Sequence, residues 1–157
     1  MSALTLMTDD EEIAVRSDLL GELRVRQTDV LQFPSGMLGF PECRRFALLR
    51  AGRDGVYWLQ SVEHSALVFL LVDPFSIEEN YAFDVQPTQI AELGSAVSSD
   101  IGLLAVVTLP ASHGQLPTAN LQGPLVINFK TRFAKQVVSG DDRHAVRRPL
   151  DLARLVS

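Results

Sequence analysis

The sequence predicts an all-β fold, mainly antiparallel, in which a sheet curls into a small barrel with one or two short helices. Short segments of period-two or continuous apolar patterning recur between residues 21 and 138. Clusters of Pro, Gly, Ser and Asp separate them at turn spacing. Several segments are apolar throughout, which calls for strands covered on both faces and for a sheet that closes upon itself.

Residues 1–17 read as a weakly ordered leader. Thr8 and Glu11 have capping-box spacing, so a short helix running to Leu20 and stopped by Gly21 competes there with disorder. From Gly21 the period becomes two: Leu23 and Val25 face one way, Glu22, Arg24 and Arg26 the other. Further strands are expected at 30–33, 46–49, 56–60, 67–72, 81–85, 101–109, 125–129 and 133–138. Pro34-Ser35-Gly36, residues 52–55, Asp73-Pro74 and Ser139-Gly140-Asp141 supply turns. A helix is expected over 87–93, with Pro87 in its first turn, Ile90 and Leu93 on one face and Gly94 ending it.

The segment NLQGPLVIN, residues 120–128, is apolar inside and polar at both ends. Pro124 lacks an N–H for a ladder and suits the strand start, while Asn120 and Asn128 sit where the chain enters and leaves the sheet. Residues 18–140 form the expected domain. Residues 141–157 are a polar, basic tail that ends in an amphipathic turn at 151–156. Each buried Leu, Val, Ile or Phe contributes roughly 1.5–3 kcal/mol, and the runs at 66–72, 103–107 and 125–129 carry most of that potential.

A chain of 157 residues fits one domain with a core of its own, and 46% hydrophobic with 21% charged residues describes an ordinary soluble globule. The single Cys43 cannot form an internal disulfide. The longest apolar run, 66–72, falls short of the ~20 residues that span a bilayer. The acidic start (Asp9, Asp10, Glu11, Glu12) is unlike a secretory signal, so a cytoplasmic protein without membrane contact is expected. Of the net charge of −5, residues 129–157 contribute +4 (seven Lys/Arg against three acids), which leaves −9 on the remainder. An acidic body disfavours direct nucleic-acid binding and is compatible with a basic protein partner.

Catalytic signatures are missing from the sequence. His64, His113 and His144 have no second ligand at metal spacing, so a metal site would require long-range assembly and none is expected. Cys43 stands beside Arg44 and Arg45, which would favour its thiolate, but no His or acid partner is indicated for it, and a buried or incidental thiol is expected. Gly36 and Gly39 lack the lysine of a phosphate loop, and there is no GxSxG elbow. The expectation is a binding module, not an enzyme, with no catalytic residue and no cofactor.

Four segments in order, FPSGMLGFPECRRFALL (33–49), WLQSVEHSALVFLLVDPF (58–75), ENYAFDV (79–85) and NLQGPLVINFKTRFAKQVV (120–138), resemble the flagellar assembly factor FliW family. The resemblance covers residues 18–138. It implies a small β-barrel-like cytoplasmic protein, expected to be monomeric, that regulates flagellar assembly without enzymatic activity. It also implies two partners: the translational repressor CsrA, whose repression of flagellin synthesis would be relieved, and flagellin, bound as a chaperone-like client. Within the motifs, Phe33, Phe40, Trp58, Phe69 and Leu125 are expected in the core, and Gly36, Gly39 and Pro124 in turns. Polar positions whose identity packing does not dictate are the candidate partner-binding residues: Gln60, Ser61, Glu63, Asp73, Tyr81, Asn120, Gln122, Asn128 and Gln136. The alternative for each is a side chain that satisfies backbone groups of the fold. A barrel enzyme with a site assembled from distant residues, or a structural, secretion-associated interaction protein, are the other functional readings.

Overall fold

Side chains alternate along a strand between two faces, and in this chain both faces are apolar. The computed structural model describes residues 11–37, 39–52, 54–94, 97–110, 112–139 and 143–151. Its strands are β1 (Glu12–Ser17), β2 (Gly21–Arg26), β3 (Val30–Gln32), β4 (Arg45–Arg50), β5 (Val56–Ser61), β6 (Val68–Val72), β7 (Ile101–Thr108), β8 (Thr118–Ala119), β9 (Leu125–Asn128), β10 (Phe133–Gln136) and β11 (Arg148–Pro149). One short α-helix, α1 (Pro74–Ile77), follows β6. Seven strands close in the order β7-β6-β5-β4-β3-β10-β9, with β9 returning to β7. All pairings are antiparallel except β3 with β10. The expected barrel is therefore the fold.

The barrel interior holds Leu31, Phe33, Met37, Cys43, Phe46, Leu59, Leu71, Leu104, Leu125, Ile127 and Ala134. Their strand neighbours point outward and are covered in turn. The β1–β2 hairpin lays Val15 and Val25 over Val30 and Ala47. The 73–97 connection and the C-terminal strand cover Leu70, Val72, Ala105 and Val107 with Tyr81, Ile77 and Leu150. Leu93 and Val137 cover Val126 from the same side.

Several sequence expectations need correction. Residues 12–17, assigned to a leader and to a possible helix, form β1, because Ile13 and Val15 alternate with the exposed Glu12, Ala14 and Arg16 and pair with Val25 and Leu23. Residues 1–10 lie outside the described residues. No ladder forms at 81–85; that segment belongs to the outer coat, where the Tyr81 hydroxyl donates to the Leu121 carbonyl at 2.8 Å instead. The helix over 87–93 is two 3-10 turns, Pro87–Gln89 and Ala91–Leu93, the second closed by Gly94 at φ +88°. Phe40 is 39% exposed rather than in the core, with its ring edge-on to Phe69.

The tail is ordered over 143–151: Leu150 is buried, and Arg148 reaches Glu78 and the Ile77 carbonyl. The proposed turn at 151–156 lies outside the described residues beyond 151.

Long-range polar clasps tie the coat to the barrel. Glu92 accepts from Lys135 of β10 at 2.6 Å and from the Ser35 hydroxyl at 2.6 Å, and these two hydrogen bonds hold its carboxyl below the usual range. A depressed carboxyl stabilises the fold above its ordinary pKa, and that contribution is lost as pH falls through the lower folded value. Because the pair is partly solvated, Glu92→Gln should cost under about 1 kcal/mol at neutral pH. The urea midpoints of variant and parent should then converge as pH falls below the lowered folded pKa of Glu92; a gap that widens in acid would contradict the clasp. Ile127→Asp puts an unpaired charge into the closed interior and should abolish cooperative unfolding. Leu19→Asp, at the 60%-exposed hairpin tip, should leave the thermal melt unchanged.

Candidate binding surface

The outer coat parts over the first half of β7. Gly102 there leaves bare backbone: a Cβ at this position would meet the Phe129 ring at 2.6 Å, so the ring of Phe129 lies where any larger residue would stand. Phe129 stays 48% exposed. Across the gap Phe75 is 54% exposed on α1. That helix starts where it does because Pro74 suits its first turn and the Asp73 carboxylate accepts from the Phe75 N–H at 2.9 Å. The Phe75 ring stands edge-on to Tyr81 at 5.3 Å, and Tyr81 stacks on Phe83.

Between these elements runs a groove of about 550 Å³ lined by Phe75, Phe83, Val85, Ile90, Val97 and Leu103, with no ionisable side chain among the described residues on its walls. A second hollow of about 290 Å³ continues from it past Phe75, Gly102 and Leu103 to Phe129, Leu48, Tyr57 and Asp73. On the far side of Phe83, a more polar hollow of about 280 Å³ is lined by Gln86, Gln89, Gln122, Arg143 and His144.

The groove suits apolar contact, not proton transfer. Tyr81, which flanks it, is buried; burial pushes its phenol up to about 12, so it stays protonated and serves as a hydrogen-bond donor. Among the described residues one mixed donor group, Glu42, Cys43 and His64, has atoms close enough to share a cation, and it lies at the opposite end of the barrel.

The sequence-derived candidates fall into separate places. Gln60 is buried, and its amide donates to the carbonyls of Ser61, His64 and Ser65, which shapes the turn after β5. The buried Ser61 hydroxyl accepts from the N–H groups of Glu63 and His64 in the same turn. Glu63 is exposed and receives both the backbone N–H and the guanidinium of Arg45. Asn120 accepts from the N–H groups of Gln122 and Gly123, and Gln136 donates to the Gly123 carbonyl at 2.7 Å. Asn128 is fully buried; it donates to the Leu93 carbonyl and accepts from the N–H groups of Lys130 and Thr131. Asp73 and Tyr81 flank the apolar groove, and Gln122 lines the polar hollow. Phe75, Val97 and Phe129 were absent from the candidates, since an apolar residue beside a strand reads as core until its exposure is known.

The chain matches the family model described as FliW protein over residues 14–150. It is 32% identical over 137 residues to the flagellar assembly factor FliW of Natranaerobius thermophilus, covering 87% of this chain and 91% of that protein. The flagellar assembly factor FliW of Pseudothermotoga lettingae is 33% identical over 128 residues, 82% of each chain. Among solved structures, a crystal structure of the flagellar assembly factor FliW superposes with a TM-score of 0.77 at 29% identity, over 87% of this chain and 96% of that one. No helix among the described residues is long and apolar enough to cross a membrane.

Asn128→Ala would leave the Leu93 carbonyl with the Thr131 hydroxyl as its donor but would orphan two loop N–H groups at once, and should cost roughly 2–4 kcal/mol in a denaturant titration.

Proposed function

Because this chain belongs to the FliW family of flagellar assembly factors, we propose that it regulates flagellar assembly by binding two proteins, flagellin and CsrA, and performs no chemistry. The open apolar groove beside Phe75 carries this reading. Flagellin's terminal segments look like amphipathic helices, and laying the apolar face of such a helix into a groove of this character is a common recognition mode. Phe75, Val97 and Phe129 would be the anchors, with Asp73 and Tyr81 at the rim. Holding the client there would keep it from premature assembly.

CsrA grips RNA phosphates and is expected to be basic, which suits the −9 carried by residues 1–128. Its capture would relieve repression of flagellin translation, and competition by flagellin for the same protein would close a feedback loop. The exposed Glu63 is the candidate contact toward CsrA. Gln60, Ser61, Asn120, Asn128 and Gln136 would act on either surface by fixing the loops that carry it.

Flagellin titrations should show Phe75→Ser weakening binding at least about tenfold, the loss typical of a deleted aromatic anchor, with an unchanged melting temperature because the ring is more than half exposed. Full affinity in Phe75→Ser and Val97→Ser together would remove the groove from the flagellin interface. For CsrA, Glu63→Lys should slow association and flatten its salt dependence. Unaltered kinetics at two ionic strengths would exclude that carboxylate. Labelled flagellin leader RNA, titrated with this protein alone at physiological salt, should give no saturable shift.

A further inference from the structure

We propose that Glu42, Cys43 and His64 form a binding site for a divalent cation of the zinc class. Their donor atoms, a carboxylate oxygen, a thiol sulfur and an imidazole nitrogen, all lie within 4.8 Å of one another although the residues come from two separate loops. The Cys43 sulfur is 3.9 Å from the Glu42 carboxylate. Sulfur with imidazole and carboxylate is the donor set that selects a borderline-soft ion over magnesium or calcium.

Both loops are fixed by contacts that owe nothing to an ion. The first, between β3 and β4, folds tightly on itself: at Gly36, with φ +76°, a Cβ would strike the Pro41 carbonyl oxygen at 2.2 Å. Hydrogen bonds from the Cys43 N–H to the Phe40 carbonyl and from the Met37 N–H to the Cys43 carbonyl hold the thiol in place. The second loop is held by the Ser61 hydroxyl on the His64 N–H and by the Gln60 amide on the His64 carbonyl. Only Cys43 is buried; Glu42 and His64 are exposed and free to swing. Tetrahedral zinc sets its ligands roughly 3.5 Å apart, so closure requires a shift of about 1 Å in two solvent-facing side chains. Three protein donors leave a fourth position for water.

The local charge favours a cation. Burial, then the carboxylates of Glu42 and Glu63, push the Cys43 thiol up, so the ion-free site holds a protonated sulfur in negative surroundings. Binding forms the metal–sulfur bond and releases the thiol proton to solvent; the dication then compensates the thiolate and its acidic neighbours. Glu63 itself remains engaged by Arg45.

Cobalt titration of the full, chelator-stripped chain tests this, because a thiolate ligand gives a sulfur-to-cobalt charge-transfer band and a tetrahedral site gives strong visible absorption. The expected result is one cobalt per chain, displaced by zinc. Cys43→Ala should abolish the charge-transfer band, and His64→Ala should weaken binding at least tenfold. His113→Ala, outside the cluster, should bind as the parent does. Absence of the band in the parent, or equal affinity in His64→Ala, would overturn the site. Since His64 is exposed, its variant decides the matter even where Cys43→Ala fails to fold.

Discussion

Strands that are apolar on both faces impose one requirement on everything else: each wall of the barrel must be buried twice. Closing seven strands settles the inner face, where Phe33, Phe46, Leu59, Leu71, Leu125 and Ile127 meet. It leaves Val30, Ala47, Leu70, Val72, Ala105, Val107 and Val126 facing outward. The β1–β2 hairpin, the connection from α1 to β7 and the strand at Arg148–Pro149 exist to cover them. A coat made of short, separately attached pieces has seams. One lies beside Gly102, where the exposed rings of Phe75 and Phe129 both line a hollow. The proposed binding surface is the part of the outer face that the coat leaves uncovered.

The coat is held by a few polar contacts that span long sequence separations. Asn128 links the end of β9 to the turn at Leu93, Glu92 reaches Lys135, Tyr81 caps the Leu121 carbonyl, and Arg148 ties the C-terminal strand to α1. These side chains work because a buried carbonyl or N–H without a partner is expensive. That accounts for polar residues inside apolar motifs without assigning them to an interface. The same economy explains the Gln60 amide, which serves three carbonyls of one turn.

Much of the barrel was legible in the sequence because its strands carry strong local signals. Val56 to Ser61, Val68 to Val72 and Leu125 to Asn128 are short, β-branched or aromatic runs bounded by turn formers, and all sit within a residue or two of expectation. The coat was harder to read. The hairpin partner Glu12–Ser17 has only Ile13 and Val15 as its apolar face, and β8 and β11 are two residues each, too short for a period to register. Residues 81–85 alternate like a strand because they bury Tyr81 and partly Phe83, yet no neighbouring strand is there to pair with. The groove was least legible of all. Nothing in the identity of Phe75 or Phe129 distinguishes an exposed ring from a core one, and Gly102 reveals its role only when the ring above it is seen. The meeting of Cys43 with His64 is equally invisible in a linear sequence, being set by two loops brought together by the β4–β5 pairing.

The central claim is that the seam over β7 is where a client protein completes the barrel's outer burial. Backbone hydrogen–deuterium exchange on the full chain, with and without saturating flagellin, addresses it directly. Protection should appear in Pro74–Ile77, in the first half of β7 and around Phe129, with the β1–β2 hairpin unchanged. Protection confined to the hairpin or to the turn after β5, with α1 and β7 exchanging as in the free protein, would contradict it.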